Sequence, residues 1–419
     1  MIMFSKNGFY IFKGGINIMV TLETIKEARK NIQDSIKRTP LIECPTLEKE
    51  LGGQIFFKLE NLQKTGSFKI RGALNRIANL TPEEKKRGVI ASSAGNHAQG
   101  IALGATAQGI KSTIVMPETA PIAKVAATKN YGAEVVLCGQ VYDDAYAKAR
   151  EIEKETGAVF LHPFDDEYVI SGQGTIGLEI LEEVPDMDVV LVPIGGGGIL
   201  AGIATAVKSL NPNIEVIGVE SENAPSMTEA LEHGECCEIC GSGVTIADGI
   251  AVRKVGCKTL ELAKKYVDKV VTVSEQEIAN AILFLLEKSK VVAEGAGATP
   301  LAAVLAGKID CKGKKVCSVV SGGNIDVNLI ERVLNRALIY SGRRYEFKVV
   351  LNDKIGEAEK VLHILSANRA NVLYLTQSVY RAKLGIAMQE LTLVIECSDK
   401  EHRDKVIKAM EEAGYSIYE

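Results

Sequence analysis

Tryptophan is missing from the 419-residue sequence, and aromatic residues make up only 5% of it. An excess of one charge is also lacking: the formal net charge is −4, so no general attraction to nucleic acid or anionic membranes is expected. Apolar runs stay well below the ~20 residues of a membrane-spanning helix, so no membrane association is predicted. The hydrophobic fraction of 46% supports a sizeable core, and 419 residues are enough for two or three domains. Alanine, glycine, valine and isoleucine dominate, as expected of an α/β protein with buried parallel strands.

The start of the chain lacks the features of a secretory signal, because Lys13 and two glycines interrupt its apolar residues. We interpret residues 1–20 as a short extension, with Met19 as an alternative start. The nine cysteines are scattered and odd in number, which does not favour a disulfide framework. We therefore expect reduced thiols and a cytoplasmic protein.

Three cysteines lie close together, Cys236, Cys237 and Cys240, with His233 nearby. A zinc or redox site is one interpretation of this cluster. No second Cys or His pair stands at metal-binding spacing, however. A surface loop that carries thiols is the other interpretation, and no metal site is predicted.

A lysine at a helix entrance is the first candidate for chemistry. A strand predicted over Gln54 to Leu59 leads into a polar turn, and a helical pattern begins near Ile70, directly after Phe68 and Lys69. The dipole and free N–H groups of a helix N-terminus suit a bound anion. A partly desolvated lysine there has a lowered pKa, and its neutral amine can attack a carbonyl. Spacing alone does not separate this role from that of a solvated surface lysine.

Two strand–turn–helix segments offer anion-binding turns. In the first, the strand from Val89 leads into the turn Ser93 to His97, which is either a carboxylate or phosphate cradle or a tight turn with Asn96 as the helix N-cap. His97 alone is more typical of a structural histidine. In the second, an apolar strand from Asp188 enters four consecutive glycines, a pattern that favours close backbone approach to a ligand over a flexible loop. Glu220 follows the next strand, as a ribose-binding acid would, but no Gly-x-Gly-x-x-Gly motif is present.

Later segments carry further candidates. Glu294 follows what we predict to be a short strand, and either binds a ligand or acts as a capping or salt-bridged acid. The strand from Val316 runs into a glycine turn after Ser321. The last 75 residues, 345–419, have a β-α-β-β-α-β pattern, which is ferredoxin-like, after a polar junction at Ser341 to Arg344.

One long segment resembles the signature around the cofactor lysine of the serine/threonine dehydratases, which are pyridoxal-phosphate (PLP) enzymes of fold type II, like tryptophan synthase β: Lys58-x-Glu60-x-x-Gln63-x-Thr65-Gly66-Ser67-Phe68-Lys69-x-Arg71-Gly72-Ala73. The resemblance covers about residues 21–338. It implies an α/β fold of two open, twisted parallel-sheet domains, with the smaller one inserted at about residues 64–164. It also implies that Lys69 carries the cofactor and that Phe68 packs against the cofactor ring.

The resemblance also implies roles for the other candidates. The turn Ser93, Ala94, Gly95, Asn96 and His97 would hold the substrate carboxylate, with Asn96 also at the cofactor's phenolic oxygen. The phosphate would lie in a cup formed by Gly195, Gly196, Gly197, Gly198 and Ile199. Gly249 would lie against the cofactor face and Glu294 near the pyridine ring, while Ser321 would bond to the pyridine nitrogen. A neutral hydroxyl there does not enforce a protonated ring, which suits elimination.

Residues 345–419 resemble an ACT amino-acid-sensing domain, on the strength of Asp353 to Gly356 and of Ala370-Asn371-Val372. Ile355 stands where these domains usually have proline. The resemblance implies regulation by isoleucine or valine and assembly as a homodimer or homotetramer.

The expected activity is threonine ammonia-lyase, which converts threonine to 2-oxobutanoate and ammonia, with serine as a second substrate. An amino-acid racemase on the same fold is an alternative. Related racemases have a second serine after the position of Ser93, which supplies a proton from the opposite face, whereas this sequence has Ala94. A non-catalytic amino-acid sensor or dinucleotide-binding regulator is a further alternative.

Overall fold

The computed structural model describes residues 9–12, 15–239, 243–380 and 385–418, with side-chain positions from Met19 onward. The chain forms two compact units, Met1–Ile325 and Asp326–Glu419. Cys240 lies outside the described residues. Within those residues, every helix is too short or too polar to cross a lipid bilayer.

The first unit contains twelve strands and thirteen α-helices among its described residues. The strands are β1 Phe9–Phe12, β2 Gly15–Ile18, β3 Leu41–Glu43, β4 Gln54–Leu59, β5 Val89–Ser92, β6 Ser112–Met116, β7 Glu134–Leu137, β8 Val159–Phe160, β9 Val189–Pro193, β10 Glu215–Ser221, β11 Lys269–Val273 and β12 Lys315–Val320. The helices are α1 Leu22–Ile32, α2 Pro45–Leu51, α3 Lys69–Ala78, α4 Pro82–Arg87, α5 Asn96–Ala107, α6 Ile122–Asn130, α7 Tyr142–Thr156, α8 Glu167–Glu183, α9 Gly198–Leu210, α10 Ser226–His233, α11 Cys257–Tyr266, α12 Glu275–Phe284 and α13 Gly295–Leu305.

The larger sheet of this unit has six strands in the order β11-β10-β9-β12-β4-β3. All neighbours are parallel except the edge pair β3 and β4. Strands β9 and β12 are buried almost throughout, as expected when helices cover both faces of a parallel sheet. Burial of these apolar side chains forms the main core, which the hydrophobic effect stabilises by about 25 cal/mol for each Å² removed from water.

A smaller parallel sheet, ordered β7-β6-β5-β8, lies within residues 89–160. It has its own core, in which Ile101 and Ala102 of α5 pack with Ile114 of β6. The turn after β5 and the turn after β9 both stand at the carboxyl end of a parallel strand, where open α/β sheets bind ligands. The predicted fold class, an α/β protein with two parallel sheets, is confirmed.

The second unit consists of α14 Val327–Tyr340, β13 Arg344–Asn352, α15 Glu357–Ala367, β14 Asn371–Ser378, β15 Met388–Glu396, α16 Lys400–Glu412 and β16 Ile417–Tyr418. Its antiparallel sheet is ordered β14-β15-β13-β16, and Phe347, Leu393 and Leu365 lie in its core. From β13 onward the element order is β-α-β-β-α-β, so the predicted ferredoxin-like pattern is confirmed. Ile355 is fully exposed in the loop before α15.

Two expectations are wrong. The short strand before Glu294 does not form: a π-helical turn, Leu285–Ser289, is followed by Lys290 in a left-handed conformation and then by irregular chain. The cysteines are not all reduced either, because Cys236 and Cys257 form a disulfide. Because α10 packs against α11, the Cα atoms of Cys236 and Cys257 lie 5.4 Å apart, a separation that suits a disulfide. Their spacing of 21 residues in the sequence does not reveal this proximity.

Candidate active site

Lys69 is the first residue of α3, and it follows the turn predicted from the sequence. Its amine donates a hydrogen bond to the carbonyl of Pro163 at 3.0 Å and lies 5.2 Å from the centre of the Phe68 ring. Burial of the amine lowers the pKa of Lys69 to about 8, although the negative charge of Glu294 opposes this shift. A lysine with this pKa is partly neutral near physiological pH, and a neutral amine is both a nucleophile and a base.

The four glycines join β9 to α9 and pack closely against their surroundings. A Cβ at Gly196 would lie 2.3 Å from the ring of Phe164, and Gly197 has a φ of +91° that favours glycine. The carbonyl of Gly196 accepts hydrogen bonds from the Gly256 N–H at 3.2 Å and the Thr259 hydroxyl at 2.7 Å. The N-terminus of α9, with Gly198 and Ile199 in its first turn, therefore opens at a loop without side chains, which suits an anion.

The turn after β5 places Ser93, Ala94 and Gly95 before α5. Ser93 accepts a hydrogen bond from the Gly95 N–H at 3.3 Å, and a Cβ at Gly95 would have no atom within 4 Å. The turn therefore has open space beside it. The helix N-cap is Gly95, and Asn96 is the first helical residue, so the interpretation of Asn96 as the N-cap is wrong.

His97 is buried, and its Nε2 lies 3.0 Å from the carbonyl oxygen of Leu161. Burial lowers the pKa of His97 to about 3, and the positive charge of Lys69 lowers it further. The imidazole is therefore neutral and donates from Nε2, because a carbonyl accepts only. This bond ties the turn Ser93–His97 to the chain after β8, and it fits the prediction that His97 has a structural role.

Asn96 connects the two sheets of the first unit through its amide. Its Nδ2 donates to Glu294 Oε1 at 2.8 Å, and its Oδ1 accepts from Asn324 Nδ2 at 2.7 Å. Asn324 also donates to the carbonyl of Thr65 at 2.8 Å, beside the Lys69 turn. Four segments far apart in sequence thus meet at one point.

Glu294 lies at this meeting point and is buried. Burial raises the pKa of Glu294 to about 7, the charge of Asp248 raises it further, and Lys124 and Asn96 oppose the shift. A Cβ at Gly249 would lie 3.5 Å from Glu294 Oε1, and one at Gly322 would lie 2.3 Å from it. Small residues therefore surround the carboxyl group, and its charge changes near neutral pH.

Phe68 and Ser321 stand beside Lys69 in a fixed arrangement. The Phe68 N–H donates to the carbonyl of Ser321 at 3.0 Å, and both residues are buried. Ser67 pairs with Gly322 in an isolated β-bridge. The structure therefore brings the lysine turn, the turn after β12, the turn Ser93–His97 and Glu294 together. Pro163 and Phe164 link Lys69 to the glycine loop.

Several buried polar atoms at this site have no hydrogen-bond partner among the described residues, including Thr65 Oγ1 and Ser67 Oγ. Buried hydroxyls are normally bonded, so such unpartnered atoms indicate a site for a polar ligand. A lysine of lowered pKa, an anion-binding glycine loop and these hydroxyls together fit pyridoxal phosphate, which carries an aldehyde and a phosphate.

Sequence reasoning missed four contacts at the site. The carbonyl of Pro163, Asn324, Thr259 and Lys124 all contribute bonds there. Asn324 directly follows the glycine turn after β12, and an amide in that place is a usable signal. No signal in the sequence identifies Lys124, because its partner Asp248 is 124 residues away.

Comparison with known proteins agrees with this geometry. The model of the family described as "Pyridoxal-phosphate dependent enzyme" matches residues 32–322. A Thermotoga maritima protein named L-threonine ammonia-lyase is 51% identical over 399 residues, which cover 95% of this chain and 99% of the relative.

Two solved structures resemble this chain with the same TM-score. Processed threonine deaminase isoform 2 from Solanum lycopersicum has a TM-score of 0.72 at 36% identity, covering 76% of this chain and 88% of the other. Maize serine racemase has a TM-score of 0.72 at 35% identity, covering 77% and 98%. The predicted family resemblance and cofactor are confirmed, and the chain belongs to the pyridoxal-phosphate dependent enzyme family.

Proposed function

We propose that this protein is a threonine ammonia-lyase that converts threonine to 2-oxobutanoate and ammonia by α,β-elimination, and that also accepts serine. The Thermotoga relative with that name is similar over nearly the full length of both chains. The observation that carries the proposal is the Lys69 amine at the entrance of α3, with its pKa lowered to about 8. A base with a pKa close to the working pH is the most effective for proton transfer.

Each group has a proposed task. Pyridoxal phosphate, when bound, supplies an electron-withdrawing ring next to the reacting carbon. Lys69 would hold it, and the glycine loop Gly195–Gly198 would bind its phosphate. Lys69 Nζ, when it is not bonded to the cofactor, would accept the α-proton of the substrate. The turn Ser93–His97 would bind the substrate carboxylate and fix its orientation. The β-hydroxyl would leave as water after protonation, and hydrolysis of the released enamine would give 2-oxobutanoate and ammonia.

The test is release of a 2-oxo acid from threonine, measured with a coupled dehydrogenase. Lys69→Ala should abolish turnover while the circular dichroism spectrum stays unchanged, because the base and the cofactor attachment are both lost. Borohydride should fix the cofactor to the unmodified chain but not to this variant. Lys64→Ala, at an exposed lysine before the turn, is the matched control and should retain activity. Normal deamination by Lys69→Ala would contradict the proposal.

A racemase is the second candidate, because maize serine racemase is as similar in fold as the threonine deaminase. Racemisation needs a proton donor on the opposite face of the substrate. Ala94 occupies the position where the related racemases have a second serine, and a methyl group cannot donate a proton. Elimination is therefore the favoured reaction.

The second unit is proposed to regulate the enzyme by binding isoleucine or valine. A unit of this size buries a small core, so pairing with a copy from another subunit would stabilise it. Exposed apolar side chains on the edge strand β14, Leu373, Tyr374 and Leu375, support such a pairing. Assembly as a homodimer or homotetramer follows from this proposal, and light scattering would test it.

A further inference from the structure

An ion pair spans the two sheets of the first unit at the rim of the site. Lys124 Nζ, from the first turn of α6, lies 2.8 Å from Asp248 Oδ2. Helix α6 packs beside the smaller sheet, whereas Asp248 belongs to the 3₁₀ turn Asp248–Ile250. The backbone of this turn lies against the glycine loop, since a Cβ at Gly195 would be 3.0 Å from the Cα of Ile250. The pair therefore joins the part of the chain that carries the substrate turn to the part that carries the glycine loop.

The opposite side of this junction is packed firmly. Helix α3 lies against α8 so closely that a Cβ at Gly72 would be 2.8 Å from the carbonyl of Val169. The guanidinium of Arg71 is fully buried there and bonds to Glu60 and Glu179. Opening this contact would break the bonds of Arg71 to Glu60 and Glu179, so it is the fixed side.

The rim side is polar and lightly packed. The contacts described there are hydrogen bonds, Asn96 to Glu294 and Asn96 to Asn324, together with the Lys124–Asp248 pair. Thr128 is the one buried residue of α6, and Ile122 at its start is 87% exposed. Val125 of α6 packs against the core of the smaller sheet, whereas the contact described from α6 to the larger-sheet part is the Lys124–Asp248 pair. A helix with so few buried side chains on that side opens there at low cost.

The pair also acts electrostatically on the interior of the site. Both of its charges influence Glu294, in opposite directions: Asp248 raises the pKa of that carboxyl group and Lys124 lowers it. Glu294 in turn accepts the hydrogen bond from Asn96. Breaking the pair therefore removes a contact at the rim, and it also changes the charges that act on Glu294, the partner of Asn96.

We propose that Lys124 and Asp248 form a latch that holds the smaller-sheet part of the chain closed over the site, and that Lys124 is a positioning residue for the reaction. It acts by keeping the turn Ser93–His97 in place against Glu294, without contacting the substrate. A pair with side chains 22% and 56% exposed gives a modest effect on closure, about two- to five-fold. The effect should appear in substrate affinity rather than in the chemical step.

The test uses the full-length holoenzyme with Lys124→Gln, Asp248→Asn and the double variant. Lys129→Gln is the matched control, because Lys129 is exposed on the same helix. Each latch variant should increase amide hydrogen exchange over residues 122–130 by about two- to five-fold and raise KM for threonine by the same factor, with kcat changed less than two-fold. The double variant should match the single variants, because each change breaks the same contact. The control should resemble the unmodified enzyme.

Charge dependence provides a second measurement. The charge-exchanged double variant Lys124→Asp/Asp248→Lys should restore part of the exchange protection. Added salt should raise KM of the unmodified enzyme toward that of the variants and leave the variants unchanged, because a partly exposed pair is screened. If a variant does not fold, hydrogen exchange of the unmodified enzyme at increasing salt replaces it: faster exchange over residues 122–130 supports the latch, and exchange independent of salt overturns it.

The KM measurement rests on the proposed function, whereas hydrogen exchange does not. Absence of deaminase activity together with faster exchange in the latch variants would reject the proposed function and keep the latch. Unchanged exchange over residues 122–130, or effects of the two single variants that add in the double variant, would overturn the latch whether or not the enzyme deaminates threonine.

Discussion

At the scale of single residues, burial sets the ionisation of three groups at the site. It lowers the pKa of Lys69 to about 8 and that of His97 to about 3, and it raises that of Glu294 to about 7. In each case the low-polarity surroundings disfavour the charged form. Lys69 and Glu294 can therefore each gain or lose a proton near neutral pH, whereas His97 stays neutral and donates a hydrogen bond.

Lys69 and the four glycines could be predicted from the sequence, because each lies within a continuous motif that begins with a strand and ends with a helix. The partners of Asn96 could not be predicted. Its amide bonds to Glu294 and Asn324, and only tertiary packing brings residues about 200 positions apart into contact. Local patterns carry no information on such a pairing.

Reaction choice is a prediction at this scale. Because Ala94 cannot donate a proton, elimination should far exceed racemisation. With L-serine as substrate, chiral chromatography should show pyruvate accumulating with little D-serine. Ala94→Ser should increase D-serine formation, because it adds a hydroxyl to the turn Ser93–His97, which we propose to bind the substrate.

Ala98→Ser is the control for that substitution: it adds the same hydroxyl nearby, at a buried position in the first turn of α5. It should form no additional D-serine. If the unmodified enzyme produced D-serine as fast as pyruvate, the argument from Ala94 would be wrong.

At the scale of elements, α3 has two tasks. It presents Lys69 at its N-terminus, and it anchors itself through Arg71 in the same first turn. The guanidinium of Arg71 forms paired hydrogen bonds of 2.6–2.9 Å with Glu60 and Glu179. Lys58 adds a further ion pair to Glu179 at 2.6 Å. This buried network fixes the helix against α8 and thereby fixes the direction of the lysine.

Arg71→Met should lower the free energy of unfolding by about 3–5 kcal/mol, because it leaves Glu60 buried without its counter-charge and Glu179 with Lys58 alone. Urea unfolding followed by circular dichroism would measure this loss. Arg87→Met, at an exposed arginine of α4, should change stability by less than about 0.5 kcal/mol. A loss below about 1 kcal/mol for Arg71→Met would show that the network does not hold the helix.

The strand–helix alternation was predictable because apolar runs with glycine turns define it along the chain. The segment before Glu294 was not. Val292 is 47% exposed, its carbonyl accepts a hydrogen bond from the Asn61 amide, and the Glu294 N–H donates to the carbonyl of Gly322, so the backbone here bonds to loops and not to a strand. The disulfide was unpredictable for the same reason, since helix packing, and not spacing, joins Cys236 to Cys257.

At the scale of the whole molecule, the chain combines a unit that contains the described site with a ferredoxin-like unit that contributes none of the site residues. Coupling between an effector site and a catalytic site typically changes affinity by about 5- to 150-fold. The family model ends at residue 322, close to the boundary between the two units at Ile325 and Asp326.

Deletion of the chain from Ser341 onward should keep deaminase activity and remove the response to isoleucine and valine. A second deletion from Asp326 removes α14 as well, which packs with β13. Activity assays with increasing isoleucine or valine would compare both forms with the full chain. A full response in the shorter forms would place the effector site in the catalytic unit.

The strand order of the larger sheet has a consequence for biosynthesis. Strand β12 lies between β9 and β4, yet it is the last of the six strands to leave the ribosome. Until residue 320 is made, β4 and β9 each present an unpaired, largely apolar edge, and such edges invite aggregation. The same late segment brings Ser321 and Asn324 to the site. A nascent chain therefore cannot complete this candidate site until more than three-quarters of its residues have been synthesised, and chaperone capture of truncated chains should end when β12 emerges.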